Sequence, residues 1–593
     1  MSTVVVDPIT RIEGHLRIEA KTNENGVITD AMSAGTMVRG IETILQGRDP
    51  RDAWAFTQRI CGVCTSSHAI TSVRAVEDAL GIVIPENARD IRNLIDGAQF
   101  VHDHVVHFYH LHALDWVDVV SALDADPAAT AVFQKCILDQ YGINRGKNND
   151  WGYFDNVKTK LRNFVNSGQL GIFKNGYWGH PEYKLPAEIN LMAVAHYLEA
   201  LTWQRNVARL HAVFGGKNPH PSFIVGGVPC AVSAEDGMTR LDQEGFDIVG
   251  EVLDEMQEFV NNVYVPDVLT IAPYYKDWFS RGEGIGNFLT FGDFPLVKGV
   301  SAGNSRGLEA GDLLIPRGAI LNRDLSVVHP VDLHDFEQVT ESVASSWYDY
   351  SAGKDTPLHP YVGETKLNYT GPTPPYEHLD IDQSYSWVKA PRWRGKAMEV
   401  GPLAHILMLY ATGHEKTRDM VDKTLTDLKL PIDALYSTMG RTAARTLEAK
   451  LIADEMGVWF KQLKDRIFDS VQPDLSMHNN EKFDPSTWPA EARGAGYLEA
   501  PRGALGHWVV IKNGKIANYQ TVVPTTWNAS PRTYDKQKTV LGAYEAALIG
   551  HHLADPKQPL EILRTIHSFD PCMGCAVHLM DEDGDELLQV KVL

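Results

Sequence analysis

A mainly α (α+β) fold, built as one large domain with a core bundle of long helices and small peripheral β-sheets, is what the sequence predicts. Three observations lead there. Apolar residues recur at three- and four-residue spacing through five long stretches. Short β-like runs beside Asn-Gly turns occur near both ends of the chain. No change of composition or repeat marks a boundary in the 593 residues, a length that allows a large buried core.

The elements follow in order. VVV at 4–6 and HLRIEA at 15–20 read as strands, and Asn25-Gly26 is a hairpin signal before VITDAMSAG. Ser66 or Ser67 is placed to cap a helix over 68–80, with Ala69, Val73, Val76 and Leu80 on one face. Ile91, Leu94, Ala98, Val101, Val105 and Phe108 give a helical pattern over 87–113. A second long helix follows Pro186, apolar from Ile189 through Leu210, and others are expected over 242–262, 402–427 and 432–468. Residues 350–395, rich in Pro, Gly and Tyr, read as a long structured loop rather than a linker. A β-like pattern returns over 507–523, where Asn513-Gly514 marks a hairpin.

Composition excludes several classes of function. The formal net charge of −21, with no basic run to offset it, argues against nucleic-acid binding. No apolar run reaches the ~18 residues that span a bilayer. The N-terminus, MSTVVVDPIT, lacks the features of a secretory signal, which reads as cytoplasmic unless the protein is exported folded on a signal-bearing partner. Six cysteines in so long a chain make no disulfide framework.

Four of those cysteines form two CxxC pairs, RICGVC at 59–64 and DPCMGC at 570–575. A CxxC brings two sulfurs onto one metal, and thiolates suit soft or borderline transition metals. A thiolate just before a helix N-terminus is further favoured by the free N–H groups there. The plain alternative is a structural zinc site in an assembly scaffold. Zinc ribbons close short loops of about 15–20 residues between pairs, whereas these pairs lie near opposite ends of the chain. A site closed by both ends belongs at the centre of the fold.

RxCGxC near the start and DPCxxCxxH near the end stand beside DPITRIEGHLRIE at 7–19, GTMVRGIE at 35–42, NGYWGHP at 175–181, SPRTYD at 530–535 and RTIHSFDPC at 564–572. With these motifs the whole chain resembles the large catalytic subunit of [NiFe]-hydrogenases, of the group 1 membrane-associated uptake type. The resemblance implies that Cys61, Cys64, Cys572 and Cys575 bind nickel, with Cys64 and Cys575 bridging to an iron that carries CO and two cyanides. It places Pro501 and Arg502 beside those diatomic ligands, Thr525 as a hydroxyl donor to a cyanide, and Asp103 and Asp570 as the acids that position Arg502. Glu42, His578 and the carbonyl of Thr521 match a second site, usually Mg2+. Glu13 is the candidate for proton transfer, although a carboxyl between an arginine and a histidine equally suits a structural ion pair. His68, four residues after Cys64, is a candidate to support the ligands, while most of His102, His104, His107, His110 and His112 read as packing or surface groups.

Dihydrogen is a very weak acid, so its cleavage needs a metal that polarises the H–H bond and a nearby base. The resemblance offers Cys572, or alternatively Arg502, as that base, with Glu13 passing the proton outward. The electrons need another route. Only Cys136 and Cys230 remain, too few for a four-thiolate iron–sulfur cluster, and no GxGxxG unit is present. They must pass to a partner, which the resemblance identifies as an iron–sulfur small subunit in an obligate heterodimer, with a membrane cytochrome b or quinone-linked subunit beyond it. It also implies nickel-insertion factors, and export with the small subunit to the periplasmic face of the inner membrane; a cytoplasmic location is the alternative. Related quinone-reducing subunits lack the full cysteine set, and gas-sensing homologues lack a cleavable tail.

The catalytic domain is accordingly expected over 1–578, with 579–593 as an extension removed by a maturation protease. Intact-mass measurement of active enzyme should show a chain ending at His578; an active, fully loaded chain that retains Leu593 contradicts this.

Overall fold

The computed structural model describes residues 2–38, 40–168, 173–174, 176–233, 241–296, 311–372, 378–535 and 538–576, the last two without an account of their side chains at 575 and 576. The predicted class holds: long helices form the interior and the sheets are small and antiparallel.

The chain opens with β1 (Ser2–Val6), β2 (Leu16–Thr22) and β3 (Ile28–Gly35), paired in that order. Their turn is organised by Asn23, whose Oδ1 accepts the N–H groups of Asn25 at 2.9 Å and Val27 at 3.1 Å. Helix α1 (Ser67–Leu80) leaves the first CxxC, and α2 (Glu86–Val106) follows. The expected helix over 87–113 does not stay regular. After Val106 it widens into a π-helical turn, His107–His112, then tightens to a 3-10 turn, Ala113–Asp115. Such irregular turns are often found beside functional sites.

Further along come α3 (Ala187–Val207) and α4 (Gln243–Phe259). The helix expected over 402–427 is two, α5 (Pro402–Thr412) and α6 (Glu415–Leu428), because Gly413 is left-handed at φ +89° and ends the first. Helix α7 (Thr438–Ile467) is capped by Ser437, whose side chain accepts the Gly440 N–H. The described residues between 350 and 395 are mostly irregular with short strand pieces, as expected.

A sheet of three strands then carries β4 (Glu491–Ala500), β5 (Gly503–Lys512) and β6 (Lys515–Val522). Asn513 and Gly514 both have positive φ, 48° and 75°, as a two-residue hairpin requires. Strand β4 was not foreseen, since ARGAGYLEA has neither alternation nor β-branched residues. Its glycines have another use. A Cβ on Gly494 would lie 2.1 Å from the Ala75 carbonyl oxygen, and one on Gly496 2.0 Å from that of Thr71. The sheet therefore lies directly against the α1 backbone and sets where the first CxxC enters the core. The chain closes with α8 (Leu560–Ser568) and α9 (Met573–Ala576).

Replacing Gly496 by Val should force α1 off the sheet, destabilising the protein by about 1–3 kcal/mol as overpacking does. The melting temperature and the metal content should fall together; unchanged values of both contradict the packing argument.

Candidate metal centre

The first cysteine pair is shaped by a tight loop. A 3-10 turn, Gln58–Ile60, ends at Cys61 in extended conformation. The N–H groups of Val63 and Cys64 then point back at the Cys61 sulfur, at 3.2 and 3.4 Å. Amide donors on sulfur favour the thiolate. Ser66 occupies the N-cap position of α1, but its side chain does not cap the helix. Its backbone is already helical (φ −106°, ψ −29°), so its hydroxyl turns instead toward Gln99 Oε1, at 3.5 Å.

The second pair is held by the start of the chain. Glu13 and Cys572 form a parallel β-bridge: the Glu13 N–H donates to the Pro571 carbonyl at 3.3 Å, and the Met573 N–H to the Glu13 carbonyl at 2.8 Å. Next in sequence, Gly14 has φ +79°, and a Cβ there would lie 2.5 Å from the Gly574 nitrogen. Only glycine lets the two segments approach this closely. The bridge brings the carboxyl to the sulfur. Glu13 Oε2 accepts the Gly574 N–H at 2.5 Å and the Cys572 thiol at 3.3 Å.

The Cys61, Cys64 and Cys572 sulfurs, all buried, lie within 4.8 Å of one another. Cys61 and Cys572 are 3.4 Å apart, far longer than the ~2.05 Å of a disulfide. Three soft donors with no carboxylate among them fit a thiophilic transition metal rather than a hard cation. The Cys575 side chain lies outside the described residues, so the fourth donor rests on its motif. Thr525, on the short helix Pro524–Asn528, accepts the Cys572 N–H at 3.0 Å and so anchors the ligand's backbone.

Pro501 and Arg502 form the tip of the β4–β5 hairpin, between the paired residues Ala500 and Gly503. Arg502 Nη1 donates to Asp103 Oδ2 at 2.8 Å and Nη2 faces Asp570 Oδ2 at 3.1 Å. Burial opposes the guanidinium charge, but Asp570, Asp103 and the Cys572 and Cys64 sulfurs outweigh it and hold the group well above its ordinary range. Burial likewise pushes the Asp570 carboxyl up, despite Arg502 and Arg445, whereas in Asp103 the pull of Arg502 overcomes burial and the carboxyl titrates low. Asp570 itself sits at φ +56°, an uncommon conformation for a non-glycine residue.

Sequence reasoning did not single out Arg445. Its Nη1 donates to the Pro501 carbonyl at 2.9 Å and reaches His104 Nδ1 at 3.2 Å and Asp570 Oδ2 at 3.4 Å. His104 pairs in turn with Glu448 at 2.8 Å. The histidine run divides: His104, His107 and His112 are buried and hydrogen-bonded, while His102 and His110 are half-buried. His68 is buried on the first turn of α1, with Nδ1 3.0 Å from His507 Nε2.

Glu42, on the short helix Ile41–Ile44, is buried rather than solvated. Its Oε1 accepts the Thr521 N–H at 3.0 Å and the Thr521 hydroxyl at 3.3 Å, and the Thr365 hydroxyl donates to Oε2. Glu42 and Thr521 thus lie together, joined through the N–H and hydroxyl of Thr521. His578 lies outside the described residues.

Comparison with known proteins agrees with this geometry. The family pattern described as nickel-dependent hydrogenase matches residues 39–578, and one described as HoxL-like matches residues 3–34. The chain is 51% identical to the uptake hydrogenase large subunit of Rhodobacter capsulatus over 598 aligned positions, covering 99% of this chain and 97% of that one. It is 48% identical to the hydrogenase-1 large chain of Escherichia coli, with the same coverage. Among solved structures it is similar to the reduced, active Ni-Fe-Se hydrogenase of Desulfomicrobium baculatum, with a TM-score of 0.71 and 32% identity, covering 97% of this chain and 100% of that one. The buried sulfur cluster and these end-to-end similarities lead to one assignment: the chain belongs to the nickel-dependent hydrogenase family, as a catalytic large subunit.

Proposed function

We propose that this hydrogenase subunit works in the uptake direction, splitting dihydrogen at the buried sulfur cluster and moving the proton out from Cys572 to Glu13. The carrying observation is the 3.3 Å contact between the Cys572 sulfur and Glu13 Oε2. Cys61, Cys64, Cys572 and, by its motif, Cys575 would hold a nickel–iron group, which when bound would supply the Lewis acidity that lets a thiolate act as base toward dihydrogen. Arg502 is pinned as a cation between Asp103 and Asp570, so it orients and balances charge, and the base role falls to Cys572. Glu13 is within reach of the Cys572 sulfur and is itself held by the Gly574 N–H. Burial of all three sulfurs keeps bulk water from the reacting atoms.

The same reading gives the iron CO and two cyanides, with Pro501, Arg502 and Thr525 as their neighbours, and assigns Glu42, Thr521 and His578 to a Mg2+ site. Two electrons pass to an iron–sulfur small subunit in a heterodimer. Cys136 is exposed and Cys230 half-buried, each alone in sequence, and neither pairs with a second cysteine into a cluster motif. Attachment to the periplasmic face of the membrane, with a cytochrome b or quinone-linked subunit, comes through that partner. Residues 579–593 are removed on maturation, a reading supported by a family match that ends at residue 578.

Glu13→Gln should keep nickel and iron content while slowing exchange of dihydrogen with solvent deuterons by about 100-fold or more, the usual size of a general acid–base contribution. A metal-replete variant that exchanges at the parent rate removes Glu13 from the path.

A further inference from the structure

One buried carboxylate joins the two chain segments that carry Glu13 and Cys572. Asp115 ends the 3-10 turn Ala113–Asp115 and is fully buried. Its Oδ1 accepts Arg11 Nη2 at 2.5 Å, and its Oδ2 accepts His567 Nδ1 at 2.6 Å and His112 Nδ1 at 3.3 Å. Arg11 stands two residues before Glu13 and His567 five before Cys572. The segments also touch directly, since His567 Nε2 donates to the Thr10 carbonyl at 2.8 Å. Asp115 itself is tethered through its backbone, whose carbonyl accepts Arg564 Nε at 2.9 Å.

His112, Asp115 and His567 place their ligand-type atoms within 4.8 Å of one another, which raises the question of a second metal. Counting donors answers it. The Trp116 indole N–H, which can only donate, points at His112 Nε2 from 3.1 Å. That nitrogen is therefore the acceptor, and the proton of His112 sits on Nδ1, facing Asp115. His567 Nδ1 likewise donates to the carboxylate, and the other carboxylate oxygen is taken by Arg11. Arg11, His567 and His112 occupy three of the carboxylate's acceptor sites, and neither imidazole turns a lone pair toward it; the cluster is a hydrogen-bonded hub.

Arg11 shows what the hub holds in place. Its backbone is left-handed at φ +58°, a conformation that a non-glycine residue keeps only when its surroundings impose it. The guanidinium is fastened on two sides, by Asp115 and by the Leu111 carbonyl. Two residues later the chain must present Glu13 in register with Cys572. From this we infer that Asp115 is a positioning residue for proton transfer, fixing Glu13 against Cys572 by holding Arg11 and His567 on one carboxylate. The inference rests on the reading of Glu13 as the proton acceptor next to Cys572.

Two variants test it in the purified holoenzyme. Asp115→Asn loses the charge that holds Arg11. His567→Gln is the milder cut, because it keeps the Arg11–Asp115 pair and leaves no buried cation alone. Both should retain nickel and iron, yet slow dihydrogen–solvent exchange by up to about 100-fold, the scale on which ~1 Å of misplacement acts. The amide protons of Glu13 and Met573, which close the bridge, should lose protection from hydrogen exchange by about tenfold or more. Amides of those two residues as protected as in the parent, in whichever variant is recovered, overturn the inference. Lost protection together with a Glu13→Gln enzyme that exchanges normally would leave the hub standing and remove only the relay.

Discussion

The Cys61 and Cys572 sulfurs are 511 positions apart in sequence and 3.4 Å apart in space. Much of the fold serves that closure. It needs a bridge between the first and last described segments, which Glu13 and Cys572 provide, and a glycine at 14 to let those backbones meet. It also needs a fixed entry for the first pair, which α1 gains by lying against the glycines of β4. A local zinc staple would ask none of this, because its ligands close a short loop. A centre made from both ends forms only when the whole chain has folded around it.

Gathering anionic sulfurs in the interior has an electrostatic cost, since a buried charge without partners is strongly disfavoured. The protein answers with alternating charge. Arg502 stands beside the sulfurs, Asp103 and Asp570 flank Arg502, and Arg445 stands behind Asp570 and His104. Each group has partners of opposite sign, so the set is rigid as well as balanced. Rigidity matters because a proton moves efficiently only between atoms already within hydrogen-bond reach.

How much of this was legible in the sequence depended on distance along the chain. The CxxC pairs, the Asn-Gly hairpin at 513–514 and the apolar spacing of the long helices are local patterns, visible in the sequence itself. Strand β4 escaped because its sequence answers to α1, whose backbone its glycines must clear. The two-helix break at Gly413 is a single residue's conformation and was passed over. Asp103, Asp570 and Arg502 came only through motif resemblance. Arg445, Glu448 and Asp115 had no signal at all: Glu448 meets His104 across 344 positions and Asp115 meets His567 across 452. Such pairs become visible only once the fold has put them together.

The central claim is that these thiolates hold a nickel–iron group with diatomic ligands, rather than zinc. Infrared spectroscopy of the purified complex tests it most directly. The account predicts bands from metal-bound CO and cyanide that shift when dihydrogen is admitted. A complex that contains zinc alone and shows no such bands would contradict it.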